Sequence, residues 1–299
     1  MLGMIIPLVV DGLTNAALIF FVAVGLTLVF SVLRVLNVAH GSFYSIGAYI
    51  AASLCLWVVS AGLNPWLTFV ALLASAVILA AALGPLVEAT LIQWTFGKPE
   101  SVQILATFGL FLILEDLQRI VFGVTSIAED TPMLLLGVTS IGDMVYLNYQ
   151  LLLILAAIVV VVALRMMLVK SRIGKLLSAV VFDREMALSV GINTKRLFLF
   201  AFTLGVFLAA LGGALAAPTS GAAPGLGAET IVLAFAVAAI GGLGQIEGAA
   251  LAAVIVGLAR VFAIYFAPQL EAVAPYIVML VVLLIRPYGL FGSDQARRI

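Results

Sequence analysis

Histidine and cysteine each occur once in this 299-residue chain, as His40 and Cys55. A disulfide within the chain and a cysteine-rich metal centre are therefore excluded, and no metal site is expected. Cys55 sits in an apolar run and reads as a small core residue. Charge is also scarce: 9% of residues are charged, against about 25% in a soluble domain. The formal net charge is zero, which gives nucleic acid no electrostatic footprint. No extramembrane stretch is longer than about 30 residues, so no soluble catalytic domain is expected. No basic segment precedes the first apolar run, and a cleavable leader is not expected.

What the chain has is apolar surface, at 65% hydrophobic residues and a mean hydropathy of +1.31. Apolar runs fall near 8–33, 42–60, 66–94, 102–123, 149–169, 197–217, 229–243, 249–267 and 273–290. About 20 residues make one helical crossing. The expected fold is all-α, a single polytopic membrane domain over 1–299 with eight or nine transmembrane helices, some broken or re-entrant. The run at 229–243 is short and reads as a half-span or a broken helix. Short alternating segments, the mark of a transmembrane β-barrel, are missing.

Half of the 14 basic residues lie at 165–196, between long apolar runs. Basic loops stay in the cytoplasm. Alternating outward from that stretch places twelve of the 14 inside, leaving Arg119 and Arg260. The expectation is an outside N-terminus and an inside C-terminus. The loop at 124–148 carries Glu129, Asp130 and Asp143 without Lys or Arg, which suits an external position. Thr131-Pro132 and Ile141-Gly142-Asp143 read there as turns or a short surface hairpin.

Three constellations are candidates for function. Asn37-Val38-Ala39-His40-Gly41-Ser42 is a polar break between the first two spans, tolerated at membrane depth only where protein or a cavity surrounds it. Its freed backbone groups could bind the charged termini of a solute; the alternative is a structural loop whose histidine caps a helix. Gly241-Gly242-Leu243-Gly244-Gln245-Ile246-Glu247-Gly248 cannot propagate a helix. It reads as a hinge at a pathway, or as close packing through small residues. It lacks the lysine and the preceding strand of a phosphate loop. A weak echo links 40–48 with 243–249, each a polar break followed by small residues. The third is 178–193, where Asp183, Arg184 and Glu185 share a short amphipathic stretch with Met186, Leu188 and Val190, and Ala187 and Gly191 are small. This reads as a docking element or as a solvated charged loop.

Glu88, Glu115, Asp116 and Arg260 lie in or near spans and require partners. For Arg260 the candidates are Glu229, Glu115 and Asp116. Trp57, Trp66, Trp94, Tyr146 and Tyr149 fall near span ends and read as an interfacial belt.

Taken in order, these motifs resemble one family. Asn37-Val-Ala-His-Gly41 with Ile46-Gly-Ala-Tyr49 resembles the N-x-A-H-G…G-A-Y signature of the branched-chain amino acid ABC permeases, and of the first of their two paired subunit types. Ala106-Thr107-Phe108-Gly109 is similar to that family's A-T-x-G segment. Glu185-Met186-Ala187-Leu-Ser-Val-Gly191 resembles the EAA---G loop of ABC-transporter permeases, with Met186 in place of the second alanine, and Asp183 through Gly191-Ile192-Asn193 resembles this family's cytoplasmic coupling loop. Gly241-Gly242-Leu243-Gly244…Gly248-Ala249 and Arg286-Pro287-Tyr288-Gly289-Leu290-Phe291-Gly292 resemble its GGLG…GA and RPxGLFG motifs.

The resemblance implies an importer subunit in the bacterial cytoplasmic membrane, with a second permease subunit, two cytoplasmic ATPase subunits and an external substrate-binding protein as partners. ATP and magnesium would sit on the ATPase subunits, with no cofactor and no catalytic residue in this chain. It implies a pathway bordered by Asn37, His40, Gly41, Ser42, Gly241, Gly242 and Gly244, and coupling through Asp183, Arg184, Glu185, Ala187 and Gly191. The solute would be a branched-chain or other hydrophobic amino acid, or a related small molecule. Arg260 departs from the acidic residue the family commonly has there; Glu115-Asp116 would compensate. The rival readings are an ion-coupled carrier using Glu88, Glu115 or His40, a passive channel, and an intramembrane enzyme, for which no paired aspartates or zinc motif appear.

Overall fold

A computed structural model describes residues 2–141 and 144–292. Each of the nine apolar runs becomes a helix. In chain order the elements are α1 (Leu2–Leu33), α2 (His40–Ser60), α3 (Leu67–Val87), α4 (Gln93–Thr95), α5 (Glu100–Phe122), α6 (Thr131–Leu135), β1 (Val138–Ile141), β2 (Met144–Leu147), α7 (Asn148–Lys170), α8 (Arg172–Phe182), α9 (Arg184–Ser189), α10 (Thr194–Ser220), α11 (Leu226–Gly241), α12 (Ile246–Phe266) and α13 (Ala274–Ile285). Among the described residues six helices are long and apolar enough to cross a bilayer, and α11 and α13 are shorter apolar helices. The 23-residue α5 is long enough as well but carries Glu100, Glu115, Asp116 and Arg119. The chain is a polytopic helical membrane protein.

Helices α3 and α4 are one rod with a widened π turn, Glu88–Ile92, between them. Pro85 lies just before that turn. A proline inside a helix removes a donor and clashes with the preceding turn, and local widening is one way to absorb that. Glu88 is buried in the π turn, where its carboxylate accepts from Gln93 Nε2 at 2.9 Å.

Helix α1 is the hub: 83% of its spanning window is buried inside the chain, against 11% for α7 at the edge. It packs on α12 and α10 through small residues, and α10 packs on α2 in the same way, so that backbones approach without an aqueous driving force. A Cβ on Gly25 would stand 2.7 Å from the Gly205 carbonyl, and one on Gly213 would overlap the carbonyl of Tyr44. Phe21, Leu26, Phe43 and Phe202 fill the remaining space.

Two helices begin inside the bundle. A Cβ on Gly25 would lie 2.8 Å from His40 Nε2, yet α1 runs eight residues further, about 12 Å. Segment 34–39 therefore turns back beside its own helix before α2 starts. His40 also borders Gly205, fifteen residues before the end of α10, or about 22 Å along its axis. Gly227, in the first turn of α11, packs against the backbone of Gly41 at the same depth. With sixteen residues, α11 reaches about 24 Å, short of a 30 Å hydrocarbon core. The short run at 229–243 forms this shorter apolar helix, and the chain enters it through 221–225.

The β1–β2 hairpin pairs Val138 with Leu147 and Ile141 with Met144, which confirms the surface hairpin; Gly142 and Asp143 lie outside the described residues. Thr131-Pro132 is no turn but the start of α6, with proline in the first helical turn, where its missing N–H does no harm. The aromatic belt needs correction. Trp57, Trp66 and Trp94 are exposed, but Tyr146 and Tyr149 are buried. Tyr149 donates its hydroxyl to the Leu215 carbonyl at 2.8 Å, holding α7 to α10. Cys55 is buried as expected.

Candidate functional site

The break between α1 and α2 is closed by the chain itself. Asn37, His40 and Ser42 are 0% exposed. The Ala39 N–H donates to Asn37 Oδ1 at 3.1 Å, and the His40 N–H to the Asn37 carbonyl at 3.2 Å. Helix α5 completes the enclosure. The Thr107 hydroxyl accepts from the Val38 N–H at 3.3 Å and lies 3.1 Å from the Leu36 carbonyl. Ser42 Oγ reaches the Phe111 carbonyl at 3.5 Å, and Ser45 donates to Gln118 Oε1. The N–H groups of Val38, Ala39 and His40, which the sequence leaves free for a solute, are therefore paired within the protein. Among the described residues neither ring nitrogen of His40 has a hydrogen-bond partner; its ring meets Phe43 edge-on at 6.0 Å.

Where α2 and α11 begin, two positive helix ends converge. The carboxylate of Glu115, 8% exposed, sits beside Gly227 and receives Gln118 Nε2 at 3.4 Å. An acid there is electrostatically matched to both helix ends.

The glycine cluster 241–248 is a packing junction. Gly241 crosses Gly248 backbone to backbone. Gly242, at φ +97°, faces Gly292, and the Leu290 N–H donates to the Ile240 carbonyl at 2.8 Å. The loop between α11 and α12 thus seats the C-terminal Pro287–Gly292 turn. Gly244 lies against Ser31 of α1, six residues past Gly25 and about 9 Å further along that helix. The two breaks are separate features at different depths. The motifs pair in space: the first with the alanine-threonine segment of α5, the glycine-rich loop with the C-terminal turn.

The segment at 171–193 forms an elbow of two short helices. Ser171 caps α8 by accepting from the Gly174 N–H at 3.0 Å, and Asp183 caps α9 by accepting from the Met186 N–H at 2.9 Å. Each cap satisfies a donor that would otherwise be orphaned. Just past the end of α9, Gly191 (φ +83°) closes the helix, with Ile192 N–H to Ala187 O and Gly191 N–H to Leu188 O, both 3.0 Å. That pair of bonds is a Schellman cap, which needs a residue in the left-handed region. Ala187 is the one buried residue of α9. Arg184 lies over the rings of Phe96 and Phe198 at 5.3 and 5.2 Å, tying the elbow to the ends of the long helices. Phe182, Met186, Leu188 and Val190 are exposed.

Arg260 bonds Glu229 at 3.3 Å and Glu271 at 3.1 Å. Of the three expected partners only Glu229 holds. Asp116 instead pairs with Arg119 at 3.4 Å, and Glu115 faces α11, so the suggested compensation by Glu115-Asp116 is overturned. Glu271 went unnoticed because it follows a proline-containing connection outside any apolar run.

A sequence profile described as the permease component of the branched-chain amino acid transport system matches residues 8–285. The chain belongs to the branched-chain amino acid transport permease family. The high-affinity branched-chain amino acid transport system permease protein BraD of Pseudomonas aeruginosa is 28% identical over 296 residues, covering 97% of this chain and 96% of that one. The high-affinity branched-chain amino acid transport system permease protein LivH of Escherichia coli is 26% identical over 295 residues, covering 97% of this chain and 96% of that one. A chain of PsaBC from Streptococcus pneumoniae in complex with Fab aligns with a TM-score of 0.48 and 13% identity, over 93% of this chain and 91% of that chain.

In this permease one further feature escaped sequence reading. Phe122, which ends α5, stacks on Tyr49 at 4.9 Å, eleven residues before the end of α2 and so about 16 Å short of it. Asp116 and Arg119 lie deeper still, and their side chains are 71% and 52% exposed. Periodicity along an apolar helix does not tell which side of the bundle a charge faces.

Proposed function

We propose that this permease is the membrane subunit of an ATP-driven importer that admits branched-chain or other hydrophobic amino acids, or a closely related small solute. The carrying observation is the family match across 8–285, which takes in the whole helical bundle. A second permease subunit shares the pathway, two cytoplasmic ATPase subunits supply energy and hold the nucleotide and magnesium, and an external binding protein delivers the solute. The membrane is the bacterial cytoplasmic membrane, with 171–193 and the C-terminus inside.

Charged side chains at membrane depth face protein or water rather than lipid. The outward pair Asp116–Arg119 on α5 therefore supports that face as the one toward the second permease subunit and the pathway between them. The enclosed groups Asn37, His40, Gly41 and Ser42 serve as the pivot behind that face. Gly241, Gly242 and Gly244 join α11 to α12 and to the C-terminal turn, so motion of the inner ends passes through them. The elbow supports coupling: its fold is set by Asp183, Ala187 and Gly191, its register by Arg184 and Glu185, and its apolar knob is left for a partner groove.

Because Cys55 is buried, Met186→Cys provides a single accessible thiol. It should label only from the cytoplasmic side and crosslink to an ATPase subunit. Glu185→Lys should abolish ATP-dependent uptake while the chain still inserts. External labelling of Cys at 186, or normal uptake and ATPase co-purification in Glu185→Lys, would overturn the coupling assignment.

A further inference from the structure

Helices α1, α7 and α12 border two open cavities, one further along the helices than the other. The first, about 450 Å³, is bordered by Pro7, Asp11, Tyr146, Gln150 and Tyr265. Asp11 accepts from Gln150 Nε2 at 3.0 Å and from Tyr265 Oη at 2.8 Å. A carboxylate offers about four acceptor sites, and these bonds use two. Among the described residues no Lys or Arg forms an ion pair with it. An anion in a membrane span with no cation beside it is a functional-site hypothesis by default.

The second cavity, about 260 Å³, continues from the first along the same helices. It is lined by Leu13, Ala16 and Phe20 of α1, Ala157 and Val161 of α7, and Ala253 of α12, without a charged residue. The step from Gln150 to Val161 is about 16 Å, the depth of one hydrocarbon leaflet, half of some 30 Å. The alanines leave the groove unfilled. Helix α7, one wall of it, is the span least buried in the chain, so the groove adjoins lipid.

We propose that this is a site for a membrane phospholipid with a primary ammonium headgroup. The ammonium donates to the free acceptor positions of Asp11, and one acyl chain lies in the groove. In the orientation proposed above, the lipid comes from the outer leaflet. The anionic, donor-bonded head cavity selects against anionic lipids, and the need for N–H donors selects against a quaternary amine.

The test uses the full-length chain, purified in mild detergent with whatever subunits accompany it and exchanged into mixed micelles. Phosphatidylethanolamine, phosphatidylcholine and phosphatidylglycerol of identical acyl chains are compared by native mass spectrometry and by unfolding midpoint. Phosphatidylethanolamine should be retained about tenfold over the other two, the scale of one charge-assisted hydrogen bond. Asp11→Asn should erase that preference; Ala157→Phe, which fills the groove, should reduce retention of all three lipids. O-phosphoethanolamine, with the same amine and no chain, should leave the midpoint unchanged. Equal retention of phosphatidylethanolamine and phosphatidylcholine by the native chain would overturn the proposal even if Asp11→Asn fails to fold. So would a preference that survives Asp11→Asn, or stabilisation by O-phosphoethanolamine equal to that by the lipid.

Discussion

The break at 34–41 and the elbow at 171–191 both interrupt an apolar chain with polar residues, and their surroundings are opposite. In the break, Asn37 and His40 are enclosed, and the backbone is tied to itself and to Thr107 of α5. In the elbow, Ala187 alone is buried within α9 while Phe182, Met186 and Val190 stand out. Backbone polar groups at membrane depth must be paired inside the protein. At an aqueous surface water does that work, and side chains are free to meet a partner. Damage to the break should therefore appear as lost stability, and damage to the elbow as lost coupling.

The strongest challenge to that contrast is Gly213→Val, behind the break. The added carbons would occupy the Tyr44 carbonyl, and overpacking of about 3 kcal/mol or more is expected. Size-exclusion profiles should show little monodisperse protein. Next comes Thr107→Val, which strands the Val38 N–H. A buried donor without a partner costs about 1–3 kcal/mol, so the unfolding midpoint should fall clearly. In the elbow, Met186→Asp should lower solute uptake by about tenfold, one lost apolar contact in a partner groove, with the midpoint unchanged. A fall in midpoint as large as that of Thr107→Val would erase the distinction. Gly191→Ala meets no atom within 4 Å but holds φ at +83°. The left-handed conformation costs about 1–2 kcal/mol locally; amide exchange at 187–192 should quicken and uptake fall several-fold. The smallest effect belongs to Arg260→Gln. Its glutamate partners are 63% and 40% exposed, so screening holds the loss below about 1 kcal/mol, measurable only as a slight drop in midpoint.

Much of this was legible in the residues. The apolar runs yield the helices, because hydropathy is a local signal; the capping roles of Asp183 and Gly191 came from the structure. The His40 segment was legible as a break but not as an enclosed one, since whether α5 covers it depends on a contact across 69 residues. The glycine-rich loop carried two readings, a hinge and close packing; its seat against Gly289 and Gly292 could be seen only in the fold. Tyr149 looked interfacial by its place near a span end; its bond to Leu215 is a tertiary fact. Asp11 obeys the same rule as Glu88 and Arg260, yet its role depends on Tyr265, 254 residues away.

By itself, the sequence determined that this chain lives in a bilayer, where its helices lie and which segment carries the positive charge, because hydropathy and charge act over a few residues at a time. Tertiary structure alone decided that α2 and α11 begin within the bundle, that Asp116 and Arg119 face out of it, and that Asp11 heads an unfilled groove. Apolar helices look alike on every side until their neighbours are in place, and burial is a property of those neighbours.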